Sequence, residues 1–444
     1  MNFRDVKALI LQRGWMTLSG AATIFIVPHT LTRPEQGLFF IFLSLAAIQS
    51  IFEAGITSIF FNYTAHERAL LSASPPLPED KLSKARSRLF DLVRMARRWF
   101  VSLSILFGLL VGPFGFHFVN ASVQREGLTM HWQTPYLLLV ASISLSLINL
   151  SRIPILEGFG QIADVARFRL RSNVLSAAVL WMGMAAGWGL WSLSLSYLIQ
   201  NVTMSVQVAM AYRRLSLPIA GMESSARRDS INWRTEILPL QFRLAGSYFC
   251  GYFIAQAVLP FTLHYHGSEI AGQVGLMLSV FNALASIVAS YMYAAAPKYA
   301  EFIAHRNAAS LKQIFSKVTI VTLLAAMLVY TLVLLATYWA QHANLYITHR
   351  MASAQVVMWM VAIGLVNAYV GSVATLLRAQ RKEPMLPISL VVALGYVLAM
   401  VCLQDASIEQ LFMAFAAIQV GIALPFTAMT LRKSCLLNYL KVPA

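Results

Sequence analysis

The stretch EILPLQFRLAGSYFCGYF, residues 236–253, places Arg243 near the start of an apolar run that continues to Leu263. A guanidinium never loses its charge, so it must find water, headgroup phosphate or a polar protein interior. What surrounds this stretch decides which. The chain has 444 residues, of which 58% are hydrophobic and 12% charged, with a mean hydropathy of +0.65. That balance lies far outside soluble globular domains and defines a polytopic membrane protein. A spanning helix needs roughly 20 mostly apolar residues. Such runs have cores near 14–31, 37–61, 99–119, 135–155, 173–190, 192–211, 238–263, 270–296, 318–340, 353–377, 387–403 and 408–430. They predict about twelve spans in an all-α fold. A single re-entrant segment around Gly189, Leu190 and Trp191 is the main alternative to separate fifth and sixth spans.

The formal charge of +16 is explained by position rather than by a polyanionic partner. Of the 34 lysines and arginines, 31 fall in the N-terminal segment, the alternate connections 62–98, 151–172, 213–243, 298–317 and 378–386, and the tail. Arg33, Arg125 and Arg350 are the exceptions. This alternation predicts cytoplasmic termini and leaves no nucleic-acid role to explain. Cys250, Cys402 and Cys435 lack metal-like spacing and read as packing residues. The first apolar run lacks a small-residue cleavage site and reads as a retained signal anchor.

The outward connections 32–36, 120–134, 264–269, 341–352 and 404–407 are short, leaving no room for an external catalytic domain. The inward segment 64–98 reads as a Pro-rich turn followed by a basic amphipathic helix lying on anionic headgroups. Segment 213–236, polar and rich in Ser and Arg, reads as a linker between residues 1–212 and 237–444. A weak repeat supports that division. Pro28-His29-Thr30-Leu31 is echoed by Pro260-Phe261-Thr262-Leu263, and Gly37-x6-Ser44 by Gly272-x6-Ser279. Two matches in the same order imply parallel six-helix halves.

No phosphate-binding Gly-rich loop, Gly-x-Ser-x-Gly elbow or His-Glu-x-x-His motif is present, so no enzyme activity is expected. His264, His266 and Glu269 in a short outward connection read as solvated rather than as a metal site. Polar residues inside spans carry more information, because burying them in hydrocarbon is costly. Glu53 is the one carboxylate well inside a span, and reads either as a coupling site or as a structural counter-charge. Arg152 precedes Pro154, so it marks either a broken helix lining a cavity or a helix end that snorkels to phosphate. Arg243 shares its span with Gln241, Ser247 and Gln256, more polar groups than a lipid-facing surface accommodates. Gln49, Asn282 and Asn367 add neutral hydrogen-bonding groups, suited to a path or to helix contacts.

LPLQFRLAGSYFCGYF (238–253), AGQVGLMLS (271–279), PKYAEFIA (297–304), PEQGLFFIFLSLAAIQSIFEAG (34–55) and LEGFGQIADVARFRLRSNVL (156–175) together resemble Wzx-type polysaccharide translocases. That family belongs to the multidrug/oligosaccharidyl-lipid/polysaccharide (MOP) exporter superfamily. The resemblance implies a MATE-like fold of two six-helix lobes in the bacterial inner membrane. It further implies a flippase that carries an undecaprenyl-diphosphate-linked oligosaccharide from the cytoplasmic to the periplasmic leaflet for O-antigen or related polysaccharide biosynthesis. Arg243 would attract the diphosphate, with Arg152 and Arg378 near the inner mouth. No cofactor is implied beyond a coupling ion, H+ or Na+. The implied partners are membrane lipids, the lipid-linked glycan and other polysaccharide assembly proteins. An ion-coupled drug or cation antiporter of the same superfamily would carry more acidic residues. A glycan polymerase or ligase would need a large outward loop, whereas a non-transporting assembly component stays open, charges inside the spans being its poorest prediction.

Overall fold

A chain crossing hydrocarbon must satisfy its backbone amides within each segment, and the helix does so locally. The computed structural model describes residues 3–71, 78–220, 238–305, 307–379 and 385–433, and every regular element among them is helical. Eight segments are long and apolar enough to cross a membrane, and Leu386–Cys402 is a shorter apolar helix. The remaining expected spans are helical but more polar or interrupted. This is a multi-pass membrane protein.

Packing divides the chain into two units, Met1–Glu35 with Phe42–Phe249, and Gln36–Ile41 with Cys250–Ala444. In the first, the order is α1 (Phe3–Thr30), α2 (Arg33–Ala47), α3 (Gln49–Glu53), α4 (Ile56–Leu71), α5 (Glu79–Arg125), α6 (Gln133–Asn149), α7 (Ile153–Gly158), α8 (Ile162–Ala185), α9 (Leu190–Ala220) and the start of α10 (Leu238–Ala255). In the second it is α11 (Val258–His266), α12 (Ser268–Ala294), α13 (Ala296–Ala304), α14 (Ala308–His342), a 3-10 turn (Tyr346–Arg350), α15 (Ala354–Ala379), α16 (Leu386–Cys402), α17 (Ile408–Ile418), a π-helical turn (Gln419–Ala423) and α18 (Leu424–Leu431).

The two units share a packing order. The second span (α2 to α4) packs on the third (α5) and the fourth (α6 and α7), the third on the fourth, the fourth on the sixth (α9), and the fifth (α8) on the sixth. The same contacts recur between α12–α13 and α14, α12–α13 and α15, α14 and α15, α15 and α17, and α16 and α17. The first element breaks the correspondence: α1 lies on α8, whereas α11 lies on α12.

Helix ends follow the local chemistry. Thr32 and Glu35 form a capping box that starts α2 with Pro34 in its first turn, and Ser407 and Gln410 do the same for α17. Gly187 (φ 76°) and Gly189 (φ 53°) turn the chain between α8 and α9, so the fifth and sixth spans are two helices, not a re-entrant segment. Residues 213–220, placed by sequence in the linker, continue α9; residues 221–237 lie outside the described residues.

Two expectations change more substantially. The basic segment after Pro78 does not form a separate surface helix. It is the first half of α5, a single helix of 47 residues. Its apolar positions 85, 89, 92, 96 and 100 are buried, and Leu92, Ala96 and Phe100 pack with Ile56, Ile59, Phe60 and Ile155. Arg88 Nε donates to the buried Glu67 carboxylate at 3.0 Å. The apolar face read as lipid-binding is therefore occupied by protein. Several spans read as continuous are also interrupted, as described below.

Hydrophobicity cannot drive helix association where lipid is as apolar as leucine, so close packing of small residues matters instead. A methyl group at Gly115 would overlap the Tyr136 hydroxyl, and one at Gly158 would lie 2.6 Å from Thr64 Cβ. Large apolar side chains are left outside: on α14, Leu324, Leu328 and Leu335 are 61%, 63% and 57% exposed along one face.

Candidate functional site

The interruptions inside the spans concentrate the polar chemistry. In the second span, α3 ends at Glu53, and Ala54 (φ 48°) and Gly55 (φ 68°) follow in the left-handed region. This geometry costs an L-residue such as Ala54 about 1–2 kcal/mol, a strain that tends to survive at functional positions. Glu53 is half-buried, and its Oε1 accepts from Thr57 Oγ1 at 2.5 Å across the break. No arginine pairs with it among the described residues. Four residues before it, Gln49 Nε2 donates to Ser146 Oγ of α6 at 3.2 Å.

The fourth span breaks at Leu150–Arg152, where α6 gives way to α7 with Pro154 in its first turn. Arg152 is thus at an interruption, with helix on both sides. Its guanidinium carbon sits 5.8 Å from the Tyr212 ring centroid, a cation–π distance. The backbone near the break is held by amides. Asn149 Nδ2 donates to the Asn201 carbonyl at 3.2 Å, Asn201 Nδ2 to the Ser142 carbonyl at 3.0 Å, and the Ser205 hydroxyl lies 2.9 Å from Asn149 Oδ1. Asn149 and Asn201 are buried. Both were passed over in the sequence, although two asparagines in neighbouring apolar spans were a usable signal.

The seventh span breaks at Gln256–Ala257, between α10 and α11. Gln256 stands at this break, and Gln241 is buried in the first turns of α10 with Oε1 unpartnered. Arg243 is in α10, but its side chain lies outside the described residues. Asn282 on α12 and Asn367 on α15 are exposed on the second unit, and Arg378 is exposed in the last turn of α15, where a cation complements the helix dipole. The structure thus brings Gln49 and Glu53 to one break and puts Arg152 at another.

A further polar cluster was not anticipated. Gln36, 1% exposed, donates from Nε2 to the carbonyls of Gly272 at 3.0 Å and Arg350 at 3.1 Å. Arg350 is itself buried, donates to Tyr346 Oη at 3.0 Å, and keeps Nε and Nη1 without a partner. Its place among the few basic residues outside the inward connections was the available clue. Among the described residues no three His, Cys, Asp or Glu side chains are grouped as metal ligands.

This arrangement of interrupted helices in two similarly packed units has counterparts among solved structures. No protein-family profile and no curated protein sequence matches the chain. Solved structures do. An inward-facing multidrug resistance MATE transporter of the MOP superfamily aligns at a TM-score of 0.61 and 12% identity, over 98% of this chain and 99% of that one. A eukaryotic MATE transporter aligns at 0.60 and 12% identity, over 99% and 97%. The lipid II flippase MurJ, in an inward closed conformation, aligns at 0.55 and 12% identity, over 97% and 88%. At this identity the likeness establishes a shared fold across essentially the whole chain.

Proposed function

We propose that this protein is a flippase that moves an undecaprenyl-diphosphate-linked oligosaccharide from the cytoplasmic to the periplasmic leaflet of a bacterial inner membrane, for surface polysaccharide biosynthesis of the O-antigen type. The halves 1–212 and 237–444 alternate access, and both termini are cytoplasmic. The observation that carries this reading is Arg152. A guanidinium at a helix break inside a span, with no carboxylate partner among the described residues, keeps its donors for an anion. Arg243 in α10 and Arg378 at the end of α15 extend the same chemistry, and Gln49, Gln241, Gln256, Asn282 and Asn367 supply hydrogen bonds for a glycan. The fold likeness to a lipid II flippase supports a cargo of this class.

A second reading, ion-coupled drug or cation export, is favoured by Glu53, a half-buried carboxylate held by a hydroxyl beside a strained break. It is also supported by the fold likeness to MATE transporters. The two readings separate experimentally. In cells depleted of the protein, undecaprenyl-diphosphate glycan accumulates in the cytoplasmic leaflet; wild type restores its export, and Arg152→Ala or Arg243→Ala at equal abundance restores it poorly. Unchanged sidedness in a strain without a rival translocase refutes the flippase. Glu53→Gln abolishes dependence on an H+ or Na+ gradient if Glu53 is the coupling site, and unchanged gradient dependence removes that role.

A further inference from the structure

A cleft of about 430 Å³ lies in the second unit between α12–α13 and α14. Its origin is local. Helix α12 ends at Ala294 and α13 restarts at Ala296 with Pro297 in its first turn, so the helix is interrupted along this wall. One wall is formed by Tyr291, Ala294, Ala295, Lys298 and Phe302, and the other by Ser310, Gln313, Ile314, Lys317 and Val318. Positions 310, 313, 314, 317 and 318 form one stripe of α14, at helical spacing.

The charges in this cleft have one sign. Lys298 and Lys317 line it, no carboxylate does, and neither ammonium has an acidic partner among the described residues. Their depth is set by sequence. Lys298 is the first charge beyond the apolar run 270–296, and Lys317 the last before the run 318–340. That spacing puts both at the ends of expected spans, where a lysine reaches headgroups. Tyr291, also on the wall, is a residue type favoured at that level.

The cleft continues into an exposed apolar ridge. From Lys317 the α14 surface continues through Val321, Leu324 and Leu328, which are 39%, 61% and 63% exposed, at i+4, i+7 and i+11. A ligand with a phosphate at the lysines and a hydrocarbon chain along this ridge satisfies both parts. A free anion would use only the first.

We propose that this cleft binds the headgroup of an anionic glycerophospholipid. Lys298 and Lys317 hold the phosphate, and Ser310 and Gln313 hydrogen-bond the remaining head atoms. The acyl chains lie along Val321, Leu324 and Leu328. This site shares no residue with the proposed cargo path and does not depend on what the protein transports.

The test is lipid retention by the purified full chain, measured by native mass spectrometry after exchange into mixed micelles containing equal phosphatidylglycerol and phosphatidylcholine. The wild type should retain phosphatidylglycerol preferentially. A cation near an anionic surface contributes about a five-fold preference, so Lys298→Gln/Lys317→Gln should lower it by about 25-fold. Lys298→Arg/Lys317→Arg should restore it, which separates loss of charge from misfolding. Lys312→Gln, on the same helix but outside the cleft, should leave retention unchanged. Equal retention of the two lipids by the wild type overturns the proposal, as does an equal loss in Lys312→Gln. Inorganic phosphate that displaces the lipid at equal concentration overturns the assignment to a lipid.

Discussion

Gly115 on α5 offers a quantitative test of the packing that positions α6 and its break. Tyr136 of α6 is fully buried and donates through Oη to the Val111 carbonyl at 2.6 Å. Its ring is held between Phe42 and Trp132, at centroid distances of 5.5 and 6.2 Å. A methyl group on residue 115 would overlap Oη and come within 2.9 Å of Cζ and 3.4 Å of Leu45 Cδ1. The ring has no free direction in which to swing, so Gly115→Ala must either force the helices apart or break the hydrogen bond. Overpacking costs about 1–3 kcal/mol and the lost bond about 0.5–1.5 kcal/mol, so Gly115→Ala should cost about 1–3 kcal/mol by overpacking and up to about 4.5 kcal/mol where both are incurred. Tyr136→Phe alone loses the bond and costs about 1 kcal/mol. Because it also removes the colliding atom, the double variant should cost less than the sum of the singles by about 1–2 kcal/mol. Reversible unfolding in bicelles by steric trapping measures each corner of this cycle. Strict additivity, or a Gly115→Ala protein within about 0.5 kcal/mol of wild type, would refute the reasoning.

Three other outcomes follow from the same geometry. Arg88→Met leaves the buried Glu67 carboxylate with the longer 3.8 Å approach of His66 Nδ1 in place of the 3.0 Å guanidinium contact and should cost about 3 kcal/mol, most of it recovered in Glu67→Gln/Arg88→Met, as read by the same unfolding assay. Ala54→Gly relieves left-handed backbone at the second-span break and should leave stability equal or raised by up to about 1 kcal/mol, whereas Ala54→Val, β-branched at φ 48°, should lower it by at least about 1 kcal/mol. Burial pushes the His266 imidazole in the 264–269 connection below its ordinary value of 6.5, with Glu409 opposing the shift. Below pH 6.5 the unfolded chain therefore takes up the proton first, so the His266 contribution to stability falls with pH in that range. His266→Gln should flatten the stability profile there, and an unchanged slope in thermal unfolding would exclude this source.

The helical, membrane-spanning character of the chain was legible because it depends on local composition. Pro154 withdraws a donor that the helix needs, which left a broken helix and a helix end as alternatives; the α6–α7 interruption is the first of these. The breaks after Glu53 and Gln256 were not legible. Ala54 is a strong helix former in isolation, and its left-handed conformation is imposed by surroundings that no local pattern records. The basic helix after Pro78 was read as membrane-bound for a related reason: an apolar stripe looks the same whether lipid or another helix covers it. Polar candidates were found by type, but their settings were not. Gln36 and Asn201 hold backbone carbonyls more than fifty residues away, and neither contact has a signature at short range.

Residue types and their spacing are sufficient to determine a multi-pass helical membrane protein, because transfer into hydrocarbon is a property of each segment by itself. Only the tertiary structure decided which helices are broken, which face of α5 meets protein, that Glu53 holds Thr57, and that Lys298 and Lys317 share a cleft. Those outcomes depend on side chains from different segments competing for the same space and the same hydrogen bonds. That competition is resolved only when the segments pack.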